Sequence, residues 1–66
     1  MEDYQRRVLE EQAGLEGKIQ RLNAFMMSPA YSSIPAWDAH LLDKQYAAMC
    51  DYKDVLTERI ARFPAT

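Results

Sequence analysis

The sequence predicts an all-α fold: an antiparallel two-helix hairpin that assembles into a helical-bundle homo-oligomer. Three observations predict it. Apolar residues recur at helical spacing on both sides of one proline- and serine-rich break, the second half carries a wider apolar arc than one neighbour can cover, and the chain has only 66 residues. A chain of that size buries barely enough surface to offset the entropy of ordering its backbone. It makes a single domain, residues 1–66, without the usual staples. Cys50 is the only cysteine and cannot form an internal disulfide, and with a single histidine it cannot build a closed zinc site. Extra burial is therefore expected from self-association or from a partner.

Helix 1 is expected over about residues 3–27, a stretch without proline. Tyr4, Val8, Leu15, Ile19, Leu22 and Met26 recur at spacings of three, four or seven, which makes one stripe of an amphipathic helix. Leu9 and Phe25 fall off that stripe on different sides. Glu2 with Arg6 and Asp3 with Arg7 are acid-before-base pairs four apart, and early acids suit the positive end of the helix dipole.

Residues 28–35, Ser-Pro-Ala-Tyr-Ser-Ser-Ile-Pro, break the helical pattern and form the turn. Ser33 is the expected N-cap of the next helix, with Pro35 in its first turn, where a missing N–H costs nothing. Helix 2 is expected over about residues 36–63, ending before Pro64 with Arg59 and Arg62 near its negative end. One edge of its apolar arc reads Leu41, Ala48, Tyr52 and Val55, and the other reads Leu42, Tyr46, Met49, Leu56, Ile60 and Phe63. At about 100° per residue the arc spans close to half the circumference. In a lone hairpin, Tyr46, Tyr52, Leu56 and Phe63 are expected to face water, a patch that monomers rarely tolerate. The oligomer interface is accordingly expected at Leu42, Tyr46, Met49, Leu56, Ile60 and Phe63, and the symmetry at cyclic or dihedral.

Composition narrows function by exclusion. With 48% hydrophobic and 27% charged residues the chain folds, and its net charge of −2 offers no basic face for bulk nucleic-acid binding. No apolar run reaches the roughly 20 residues that span a bilayer, and the acidic start Met1-Glu2-Asp3 is unlike a signal peptide, so a cytoplasmic location is expected. His40 lies near Asp38 and Asp43, but these side chains point in different directions on a helix, and Asp51 beside Cys50 discourages a thiolate. There is no phosphate loop, nucleophile elbow or metal motif, so neither catalysis, a metal nor a cofactor is expected.

Binding residues stand out more than catalytic ones. Tyr4, Arg6 and Arg7 in helix 1, with Tyr46, Tyr52, Lys53, Arg59 and Arg62 in helix 2, interleave aromatic and basic side chains, and an antiparallel hairpin brings the chain ends together. Tyrosine faces stack on bases and guanidinium groups pair with phosphate, so Tyr4, Arg7, Lys18, Tyr52 and Arg59 form the candidate ligand set. The same residues also read as core tyrosines beside solvated arginines. Ala13, Gly14 and Gly17 make a small-residue strip where another backbone or a flat ligand could approach, at a cost of about 1 kcal/mol per helical glycine. Gln12 and Gln45 interrupt apolar stripes and are candidates to set register across an interface. Trp37, at the start of helix 2, suits a loop anchor or part of a contact surface, and the loop anchor is the expected role.

The pattern Tyr4-x-x-Arg7-Val8, Glu11-x-x-x-Leu15-x-x-Lys18-Ile19-x-x-Leu22-x-x-Phe25, then Leu41-Leu42-x-x-Gln45-x-x-x-Met49-x-x-Tyr52-x-x-Val55-Leu56-x-x-Arg59-Ile60, covers nearly the whole chain. It resembles small, largely uncharacterised helical proteins encoded by tailed bacteriophages and prophages. The resemblance implies an accessory protein made inside an infected bacterium, with a role against host defence. It implies either a sponge that holds a cyclic oligonucleotide or ADP-ribose-type signal between subunits, or a direct inhibitor of a host defence protein, as small anti-CRISPR proteins are. A structural or scaffolding role comes third.

Overall fold

The computed structural model describes residues 2–64, so Met1 of the acidic start lies outside the described residues. Helix α1 spans Asp3–Met26. Glu2 is extended, and the side chain of Gln5 reaches back to accept its N–H at 2.9 Å. That bond satisfies a donor the first helical turn leaves free. At the other end the hydroxyl of Ser28 donates to the carbonyl of Phe25 at 2.6 Å, and Pro29 cannot continue the helix.

The turn is itself ordered. Pro29–Ser33 form a short 3₁₀ helix, and Tyr31 within it donates its hydroxyl to Asp43 at 2.8 Å, close to the carbonyl of Ala39. Its ring meets Phe25 edge-on at 6.2 Å. Tyr31 thus ties the turn to both helices. Trp37, the expected loop anchor, does not: it is 68% exposed and lies against His40, with ring centroids 5.3 Å apart.

Helix α2 spans Ala36–Ala61, and its N-cap is Pro35 rather than the expected Ser33. The reason is local sterics. A residue before proline is pushed out of the helical region, and Ile34 is extended at φ −85°, ψ 154°, so no helix can run from Ser33 through it. The carbonyl of Pro35 takes the first helical bond, from the N–H of Ala39 at 3.0 Å.

The helices pack antiparallel, as the edge-on contact of Tyr4 with Phe63 at 5.7 Å and the hydrogen bond from Gln12 to Thr57 at 2.9 Å both require. The core is Val8, Leu15 and Leu56, with Ile19, Met49, Ile60 and Phe63 packed against it. The expectation that Leu56 and Phe63 face water in a lone hairpin is overturned. Leu56 is completely buried and Phe63 closes the seam. Of the row expected at an oligomer interface, Met49, Leu56, Ile60 and Phe63 thus pack within the hairpin. This inner row of α2 faces α1, so the residues left outward are those of the other row: Leu41, Tyr52 and Val55. The result is a rod of 50 × 15 × 14 Å.

Candidate functional site

Helical geometry decides which of the candidate ligand residues share a face. At about 100° per residue, Tyr4, Arg7 and Lys18 fall within about 60° of one another on α1, to one side of its buried stripe. On α2, Tyr52 and Arg59 are seven residues apart and fall within about 20° of each other, again to one side. The contact of Tyr4 with Phe63 joins these two flanks. The bond of Gln12 to Thr57 marks the opposite flank. All five candidates therefore lie on one long face of the hairpin, and all five are exposed.

Along that face they separate into two groups. Pairing of Tyr4 with Phe63 and of Gln12 with Thr57 sets Lys18 level with the stretch of α2 that holds Tyr52. Tyr4, Arg7 and Arg59 gather instead at the open end of the hairpin. From Arg7 to Lys18 is about 16 Å of helix rise. One flat ligand on one chain meets one group or the other.

The chemistry of the end group is that of an anion and ring binder. Guanidinium groups keep their charge at any pH the protein meets and present planar donor pairs to phosphate or carboxylate. Tyr4 packs perpendicular to the ring of Phe63 and is 48% exposed, so the contact holds the residue while leaving about half of it open to solvent. Two surface depressions flank this end, one of about 280 Å³ lined by Asp3, Arg6, Arg7 and Glu10, and one of about 300 Å³ lined by Glu58, Ala61 and Arg62. Both lie on the outer sides of the helices. Acidic residues offset the arginines in each lining, and exposed Glu11 falls between Tyr4 and Lys18 on the shared face.

The remaining candidates are placed as follows. Lys53 and Tyr46 are half-buried along the seam, as is Leu42. Gln12 is paired within its own chain, with Thr57, and Gln45 is exposed. An added Cβ at Gly14 meets nothing within 4 Å, and at Gly17 it meets only the end of the Arg21 side chain at 3.3 Å, so neither glycine serves a close contact inside the hairpin. Cys50 is a half-buried free thiol. Among the described residues no cluster of three or more His, Cys, Asp or Glu side chains could hold a metal ion, and no helix is long and apolar enough to cross a membrane.

Two polar residues hold positions that apolar spacing does not reveal. Gln5 is buried at the start of the seam, and its signal is the Glu2-x-x-Gln5 spacing of a reciprocal cap. Tyr31 latches the turn through Asp43, a pairing twelve residues apart that no local pattern announces. That bond, with partial burial and the charge of Asp43 behind it, raises the Tyr31 phenol above its ordinary range.

Comparison with known proteins finds relatives along nearly the whole chain. The model of a family described as Sequestin matches residues 2–62. A 7.5 kDa protein from the denB-rIIB intergenic region of Enterobacteria phage T4 is 38% identical over 60 residues, covering 91% of this chain and 94% of that relative. No solved structure matches the chain.

Proposed function

We propose, because the chain belongs to the Sequestin family, that it is a non-catalytic, phage-encoded counter-defence protein. In this reading it binds a nucleotide immune signal, of the cyclic oligonucleotide or ADP-ribose type, and withholds it from a host effector. The family's name speaks for sequestration, and the phage relative speaks for the setting. The observation that carries the ligand class is the single face on which Tyr4 and Tyr52 offer rings and Arg7, Lys18 and Arg59 offer cations. Rings stack on bases irrespective of their identity, and the cations answer the phosphates. Because one chain is a bare rod, enclosure of a ligand needs a second face, supplied by another subunit.

Calorimetric titration of the full chain with cyclic di- and trinucleotides and with ADP-ribose derivatives tests this. At least one is expected to bind and to raise the melting temperature. Arg7→Ala is expected to weaken that binding by about tenfold or more, the worth of one charge-assisted hydrogen bond. A panel without any binder rejects the reading.

Direct inhibition of a host defence complex is the second reading, and one observation favours it. Trp37 stands mostly exposed beside the turn, and large amphipathic side chains of that kind anchor protein contacts. Co-purification of one stoichiometric host protein, lost on Trp37→Ala, is the result that supports it.

A further inference from the structure

The end of α1 sets an accessible sulfur beside an amide donor. Met27 is the C-cap of the helix, with its N–H donating to the carbonyl of Asn23 at 3.0 Å. It is 79% exposed, more than any other large apolar side chain among the described residues. The same two residues meet again through their side chains, where the Asn23 amide donates to the Met27 sulfur at 3.6 Å. A thioether is a weak acceptor. Met26 and Met49 are half-buried, and Met49 packs against the core of Val8, Leu15 and Leu56. We infer that Met27 is a modification site: peroxide oxidises it to the sulfoxide ahead of Met26 and Met49, and Asn23 holds the product at the end of α1.

The chemistry balances with hydrogen peroxide alone. A sulfur lone pair attacks one peroxide oxygen and the O–O bond breaks. The proton on the transferred oxygen passes to the departing hydroxide, which leaves as water, and the sulfur, oxidised by two electrons, keeps the oxygen. Access decides which sulfur reacts, because the oxidant must reach the lone pair. Met27 offers it from open solvent. Met49 lies in the seam, where a sulfoxide would put a polar oxygen among apolar side chains. The new oxygen on Met27 is a much better acceptor than the sulfur that carries it, and the Asn23 amide is already directed there. A bond that the thioether makes weakly thus becomes an ordinary N–H···O bond. Oxidation falls first where the helix end can take it, and the seam stays apolar.

Treatment of the folded full chain with hydrogen peroxide, with the sulfoxide at each methionine read by peptide fragmentation, tests this. Met27 is expected to oxidise several-fold faster than Met26 and Met49, and the difference is expected to vanish in denaturant. The species oxidised at Met27 alone is expected to keep its helical circular dichroism. Asn23→Ala is expected to lower the melting temperature more in that species than in the reduced chain, because there it removes the stronger bond. Asn23 is exposed, so the variant keeps the core intact. Met26 or Met49 reacting as fast as Met27 in the folded chain overturns the site. Lost helicity on oxidation of Met27, or an equal effect of N23A in both states, overturns the role of Asn23.

Discussion

Among the described residues Leu56 is the one side chain the seam removes from water completely, and few others share its load. Truncating a fully buried leucine costs about 2–5 kcal/mol, because burial is lost and a cavity is left. A rod with a single seam has little stability in reserve. Leu56→Ala is therefore expected to unfold most of the chain at room temperature, seen as lost helical ellipticity. Tyr31 makes a different prediction. Its raised pKa means that the fold favours the neutral phenol, which donates to Asp43. The stabilisation it brings is present below the ordinary tyrosine value of 10.0 and is lost as pH rises through the higher value of the folded chain. Ultraviolet titration is expected to show one tyrosine ionising late, and Asp43→Asn removes the delay. Tyr31→Phe is expected to lower the melting temperature at neutral pH and to abolish the added loss of stability at high pH.

At the level of elements, α1 carries a weakness that the hairpin does not use. Gly14 sits in mid-helix with open space where a Cβ would be. Helical glycine costs about 1 kcal/mol relative to alanine. Gly14→Ala is expected to raise stability by about that amount in denaturant titration, without change in the binding of any ligand held by Arg7. The turn works in the opposite sense. Pro35 stops helix propagation backward by forcing Ile34 extended, and Tyr31 then holds the 3₁₀ segment against both helices. Helix direction is thereby set by a proline and a tyrosine, while Trp37 is left free for outside contacts.

For the whole molecule, the proposed function calls for a second subunit, and Leu41, Tyr52 and Val55 are the exposed apolar side chains of α2 open to it. Coupling of folding to association makes the melting temperature depend on protein concentration. Thermal denaturation over a hundredfold range of concentration is expected to show it rising, and a constant value contradicts association. Much of this was legible in the residues. Spacing of Val8, Leu15 and Ile19, the prolines at 29 and 35, and the wide arc of α2 determined two helices, one turn and excess apolar surface, because periodicity and proline sterics are local properties. The aromatic and basic candidates were likewise legible as residue types. What only the tertiary structure decided was which row of α2 turns inward, since Val55 and Leu56 are adjacent and both apolar, and a helical wheel has no origin. The contact of Tyr4 with Phe63 and the bond of Gln12 to Thr57 supply that origin. They bury Leu56, leave Leu41, Tyr52 and Val55 outward, and gather Tyr4, Arg7, Lys18, Tyr52 and Arg59 on one face, because rotation of a helix about its axis is set by long-range packing and not by its own sequence.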